Sequence, residues 1–245
     1  MNRLHTTTCK ILGGLVMSMP ALAFADLAAL KKMENELVSK YKDAPFYEIN
    51  HDVEDVVSSV LAQDPSSFSY DFPKLSEHGF VHINYSPDKK LKFYNFNVGS
   101  GGTMGEASNY VQYQVDQHIK FDEFEAGYYI YNIQQVKIKN NAVYLIESYY
   151  KGDSCSGAYD LRAVEIGKKQ LLKSYVFKSK NKTNHDISVD FSCRHYQSAA
   201  DIPDYFRVGP TTVDVMLLDQ NDVPQQKYLR YQLVKTGYVY SGVVK

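Results

Sequence analysis

From Phe68 to the end of the chain, apolar residues recur at every second position, and turn-forming residues break the pattern at short intervals. A period of two belongs to strands whose side chains alternate between two faces. Candidate strands are 80–85, 91–98, 110–115, 128–139, 142–150, 159–166, 170–178, 186–191, 211–218, 227–234 and 238–243. No helical pattern lies between them, which argues against parallel βαβ winding and leaves successive antiparallel hairpins. The expected fold is mainly β: a sandwich or barrel, or a small irregular propeller built from hairpins. No repeat at a fixed period supports the propeller. The 21 Tyr and 12 Phe, with no Trp, agree with a strand-rich chain.

The turns have mechanisms. Ser86-Pro87-Asp88-Lys89 fits a type I turn with Pro at its second position. Asn140-Asn141 tolerates positive φ and suits a tight hairpin. Gly167-Lys168-Lys169 and residues 219–222 read as further hairpin tips. Strands 128–138 and 142–150 carry apolar residues on both faces, which places them centrally, covered on both sides.

Two helices precede the strands. Leu27, Leu30, Met33, Leu37, Val38 and Tyr41 recur at helical spacing over 26–42, and Val53, Val56, Val57, Val60 and Leu61 do so over 52–63. Ala44-Pro45 separates them, and Asp64-Pro65 stops the second, because proline disfavours helical geometry in the residue before it.

Ahead of these helices, Arg3 and Lys10 form a positive stretch before a short apolar run over 11–19, Pro20 ends it, and small residues stand at Ala23 and Ala25. This is the pattern of a secretory signal peptide cut after Ala25, and the run is too short to span a bilayer. The expected product is a single mainly-β domain, 26–245, exported to the periplasm and not membrane-spanning. Removing 1–25 takes away two basic residues and no acidic one, which leaves 25 basic against 28 acidic, a net charge of −3. That balance argues against a nucleic-acid partner. Two cysteines remain, Cys155 and Cys193, and in an exported chain they are expected to pair. Closing a loop of about 38 residues contributes roughly 4 kcal/mol in the chain-entropy model.

The most distinctive segment runs from Ser86-Pro87-Asp88 through Leu91, Tyr94 and Phe96 to Gly99, Gly101, Gly102, Thr103 and Met104, with Gln112-Tyr113 beyond. It resembles a family of exported bacterial β-proteins of unassigned function, in which S-x-D-x-x-L/F-x-x-Y-x-W/F is followed by a short spacer, G-G-T-M and then Q-Y; Phe96 stands here where the usual aromatic is Trp. The resemblance implies an exported β-fold and carries over no catalytic residue. The glycines are not a phosphate cradle: no Lys follows them as a P-loop requires, and Met104 stands where a dinucleotide fingerprint needs glycine. A wide strand-to-strand connection is expected, with no cofactor.

Catalytic and metal patterns are sparse. Gly152-Asp153-Ser154 resembles the nucleophile context of some hydrolases, but Cys155 follows the serine, and nothing in the sequence places His51, His118 or Asp160 beside it. His78 and His82 would share one side of a strand and could reach a common metal, yet no further ligand completes a set. Two charge groups stand out: Asp122, Glu123 and Glu125, and the lysines at 168, 169, 173, 178, 180 and 182. Either could steer an oppositely charged partner.

The expectation is a non-enzymatic binding protein with a protein partner, of the inhibitor or immunity type that neutralises a toxic effector in the envelope. Its contacts would be Gly99, Gly101, Gly102, Thr103, Asp122, Glu123 and Glu125. The alternatives are an envelope hydrolase using Ser154 and a glycan-binding module using tyrosines on a β-face.

Overall fold

A computed structural model describes residues 22–44, 46–98 and 106–245. The leader expected over 1–25 therefore lies almost entirely outside the described residues, as does the 99–105 stretch carrying Gly99, Gly101, Gly102 and Thr103. The fold is mainly β and antiparallel, as the period-two pattern predicts.

Helices α1 (Leu22–Tyr41) and α2 (Phe46–Gln63) come first, followed by a 3₁₀ turn (Pro65–Ser69) and a one-turn helix α3 (Pro73–Glu77). The first sheet is a meander of β1 (His82–Tyr85), β2 (Leu91–Asn97), β3 (Ala107–Val115) and β4 (His118–Glu123). The second takes β5 (Tyr129–Ile138), β6 (Asn141–Lys151), β7 (Ser156–Ile166) and β11 (Asp186–Ser192), with the short β8 (Leu171–Lys173) on β7. The third runs in the order β10 (Thr183–Asn184), β9 (Phe177–Lys178), β15 (Gly237–Val244), β14 (Pro224–Val234), β13 (Thr212–Leu218) and β12 (Phe206–Val208). One sheet curls into a half-barrel.

Three apolar cores join these layers. Leu30, Val57, Leu61, Phe72, Tyr94 and Phe96 lie between the helices and one face of the first sheet. Phe93, Val111 and Tyr113 on its other face meet Ile133, Tyr144 and Ile146 of the second sheet. The opposite face of that second sheet, with Val143, Leu145 and Leu161, packs on Val213, Val215 and Tyr238 of the third. Strands β5 and β6 are thus covered on both sides, as their two-faced apolar pattern requires. The result is stacked layers of helix and sheet, and not radial blades.

The structure corrects some element boundaries. The strand expected over 170–178 is two: β8 pairs with β7 in the second sheet, then the chain crosses and β9 pairs in parallel with β15 in the third. That crossing brings the Val176 carbonyl within 2.6 Å of where a Cβ on Gly237 would sit, so only glycine fits there. The β5–β6 hairpin turns on Lys139 and Asn140, both at positive φ, one residue earlier than Asn140-Asn141. Strands β4 and β12 and helix α3 are additions with weak sequence signals, the strands being short or charged at the sheet edges. The disulfide forms between Cys155, in the β6–β7 turn, and Cys193, just after β11. It fits export, and among the described residues no helix is long and apolar enough to cross a membrane.

Candidate functional site

The acidic group at 122–125 ends β4 and forms a ridge. Phe124 turns inward and sets its ring edge-on to Phe93 at 4.9 Å. The Phe124 N–H donates to the Asn109 carbonyl at 2.8 Å, which fixes the backbone while Glu123 and Glu125 stay exposed. Behind the ridge, a ladder of amides in the first sheet holds the chain entering β5. Asn109 Nδ2 donates to the Gly127 carbonyl at 2.9 Å, Asn95 Nδ2 to that of Tyr128 at 2.8 Å, and Asn84 Nδ2 to that of Ile130 at 3.0 Å. Asn95 and Asn109 are cross-strand neighbours, joined side chain to side chain at 2.8 Å. Gly127 lies against β6, and a Cβ there would fall 2.7 Å from the Tyr149 carbonyl carbon.

A hollow lies on each side of this ridge, and Glu123, Phe124 and Glu125 line both. Toward α2 is a groove of about 710 Å³, whose other walls include His51, Glu54, Asp55 and Ser108. Four carboxylates, Glu54, Asp55, Glu123 and Glu125, make it acidic. Glu54 is buried and occupied: Tyr110 Oη donates to it at 2.6 Å, and His51 Nδ1 lies 3.1 Å from its other oxygen. Burial and that carboxylate hold the Tyr110 hydroxyl well above the ordinary tyrosine range. Asp55 and Glu123 carry the groove's uncommitted charge, since neither hydrogen-bonds through its side chain nor forms an ion pair among the described residues.

Toward β7 and β8 is a cleft of about 470 Å³ floored by Phe124, Val164 and Leu171. Arg162 Nη1 lies 3.5 Å from Glu125 Oε2 and donates to the Glu125 carbonyl, and Lys173 Nζ lies 3.9 Å from the same carboxylate. The buried Arg162 Nε has no hydrogen-bond partner among the described residues. Asp122 accepts the Tyr113 hydroxyl at 2.5 Å, and burial with that carboxylate pushes the phenol up to about 12. The acidic group and part of the lysine-rich stretch, two separate charge features in the sequence, therefore meet through Lys173. The remaining lysines do not form one hairpin: Lys168 and Lys169 sit in the β7–β8 turn, and Lys178 lies on β9 in another sheet.

The other candidates stay apart. Ser154 is exposed in the β6–β7 turn, and Asp153 Oδ1 is taken by the backbone N–H groups of Cys155 and Ser156 at 2.7 and 2.6 Å. His51 is engaged on α2 with Glu54, His118 begins β4, and Asp160 lies mid-strand on β7, so no imidazole–carboxylate pair reaches Ser154 among the described residues. His78 and His82 do not share a strand face, which corrects the expectation for them. His78 caps α3 and stacks on Phe80, the chain turns at Gly79 with φ +72°, and His82 meets Tyr129 edge-on. Among the described residues no group of three His, Cys, Asp or Glu is arranged to hold a metal ion.

The α2 wall and the asparagine ladder escaped sequence reading. Glu54 and Asp55 lie more than 60 residues from Glu123, and isolated asparagines in strands carry no pattern. No family model, curated protein or solved structure matches the chain.

Proposed function

We propose that the chain is an exported, non-enzymatic binding protein of the periplasm that takes a protein partner, of the inhibitor or immunity type directed at an effector in the envelope. The partner presents a basic segment to the groove between α2 and the 122–125 ridge. The observation that carries this reading is the ridge itself, whose Glu123 and Glu125 face an acidic groove on one side and an Arg162- and Lys173-lined cleft on the other. A surface of that kind discriminates partners by charge and speeds encounter. The rigid backing from Phe124, Gly127 and the asparagines keeps the ordering cost of binding low. Export is supported by the leader pattern and by the Cys155–Cys193 disulfide.

The test is site-specific photo-crosslinking in cells, with the probe at Ser108 in the groove or at the exposed Ser241 as a control. A protein adduct is expected at 108 and not at 241, and it should vanish in Asp55→Lys and Glu123→Lys variants. Equal labelling from both positions, or an adduct that survives both charge reversals, overturns the reading.

A further inference from the structure

A second hollow, of about 620 Å³, lies between the loop after the disulfide and the start of β14. That volume is in the range of small-ligand sites, roughly 300–1,000 Å³. It is built around Arg207 of β12. In register, Arg207 opposes Asp214 of β13, and Asp214 opposes Arg230 of β14. The single carboxylate between two arginines is claimed entirely by one of them: Arg230 Nε donates to Oδ1 at 2.7 Å and Nη2 to Oδ2 at 2.6 Å.

Arg207 is left without a side-chain carboxylate among the described residues. Its guanidinium carbon instead lies over the Tyr228 ring, 3.7 Å from the centroid, and Nη1 reaches a main-chain oxygen of Lys245 at 3.5 Å. The Tyr228 hydroxyl donates to the Asp204 carbonyl at 3.1 Å, so the platform under the arginine is itself held. Asp201 lines the same hollow, but its Oδ2 is occupied by the Ser198 N–H and hydroxyl, at 2.9 and 2.8 Å. The loop side carries His195, Tyr196 and Gln197, which begin two residues after Cys193 and are held close to the disulfide. Tyr196 is fixed further by stacking on Phe191 and by its hydroxyl against that of Tyr205 at 2.8 Å. Gln226 stands on the facing wall at φ +52°.

We propose that this hollow binds an acidic saccharide, with Arg207 taking the carboxylate. A guanidinium held over an aromatic ring is oriented by it, and the only hydrogen bond Arg207 makes to Lys245 is long, 3.5 Å, and exposed, so an incoming carboxylate can displace it and take the donors. Gln197, Gln226 and His195 line the same hollow and bring the donors and acceptors that neighbouring sugar hydroxyls require. The only aliphatic walls are Val223 and the prolines at 203 and 224, too little apolar surface for a peptide side chain to anchor on. The site is independent of the protein-binding groove and shares no lining residue with it.

The experiment titrates the intact, disulfide-bonded chain, ¹⁵N-labelled, with trigalacturonate, a glucuronate-containing disaccharide and N-acetylmuramic acid. Controls are neutral maltotriose, inorganic phosphate and a hexaglutamate peptide. Amide shifts centred on 195–197, 207 and 226 are expected with at least one acidic saccharide, and binding at least tenfold weaker with maltotriose. Arg207→Gln should weaken that binding tenfold or more, with strand content unchanged by circular dichroism. Gln197→Ala, in the loop and away from the strands, should weaken it several-fold and guards against a folding artefact. No shift at these amides with any acidic saccharide overturns the proposal, as does equal or tighter binding of phosphate or of the glutamate peptide.

Discussion

The buried carboxylate of Glu34, on α1, caps α3: its Oε1 accepts the Lys74 backbone N–H at 2.7 Å. The same oxygen takes the Leu75 N–H at 3.1 Å, and the other accepts the Tyr70 hydroxyl. A helix of one turn cannot satisfy its own first N–H groups, and here a residue some 40 positions earlier supplies the acceptor. Removing it orphans buried donors. Glu34→Ala is expected to cost about 3 kcal/mol and Glu34→Gln about 1 kcal/mol, from the strength of hydrogen bonds to charged groups. Urea unfolding of the two variants measures this, and a loss below about 1 kcal/mol for the alanine would show that the cap does not hold the helical layer.

Lys92 gives the same layer a pH dependence. Its ammonium is buried against the carbonyls of Ser67, Phe68 and Tyr70 and lies 3.4 Å from Asp71. Burial pulls its pKa down to about 8, with Asp71 opposing. Between about pH 8 and the ordinary value of 10.5 the unfolded chain holds this proton and the fold has released it, so stability from this group rises with pH across that window. Methionine does not titrate. The stability difference between the wild type and Lys92→Met should therefore grow by about 2–3 kcal/mol from pH 8 to 10.5. Tyr113 and Tyr238, pushed up to about 12 by burial, act oppositely: their contribution is intact below pH 10 and is lost as pH rises through 12. They are common to both proteins and cancel in the difference. A flat difference across the window would mean that the carbonyl cage keeps Lys92 charged.

Much of this layering is legible in the chain. The Val/Tyr/Ile alternation on both faces of 128–150 demands two covers, and the structure supplies a sheet on each side. The helical spacing of Val53, Val57 and Leu61 places that stripe in the core, as found. What was not legible depends on side chains reaching across long separations. Nothing in the local pattern around Glu34, Lys92, Asn95 or Asn109 marks them as buried. Each is buried because a distant backbone needs a donor or acceptor, and local periodicity carries no trace of that. The acidic ridge was visible at 122–125, but its groove was not, since the second wall comes from α2.

The disulfide ties the β6–β7 turn to the end of β11, and those strands already pair at Ser156↔Ser192. The Cys193 N–H also donates to the Cys155 carbonyl at 2.7 Å. The cross-link therefore constrains the unfolded chain more than it shapes the fold. Reduction, or Cys155→Ser with Cys193→Ser, should lower stability by about 4 kcal/mol in the chain-entropy account while leaving strand content intact. Circular dichroism with urea titration, with and without dithiothreitol, reads both effects, and loss of β signal on reduction alone would contradict this assignment.

Gly127 links the scaffold to the proposed binding groove. A Cβ there would lie 2.7 and 2.8 Å from the Tyr149 carbonyl carbon and oxygen and 2.9 Å from the Tyr150 nitrogen. These are backbone atoms in the middle of a sheet, so they cannot swing aside, and the 124–127 segment must lift instead. Lifting breaks the Asn109–Gly127 bond and moves Glu125 away from Arg162 and Lys173. Gly127→Ala is therefore expected to cost about 1–3 kcal/mol, as overpacking does, and to weaken binding of a lysine-rich peptide to the groove at least fivefold. Gly79→Ala is the control: its φ of +72° makes it strained, but its Cβ meets nothing within 4 Å and it lies outside the groove. It should cost about 1 kcal/mol and leave peptide binding unchanged. Fluorescence anisotropy at low salt and at about 0.3 M salt separates the effects, because groove binding by carboxylates is screened and must fall with ionic strength. Peptide binding by Gly127→Ala equal to that of Gly79→Ala would show that the ridge's position does not set the site.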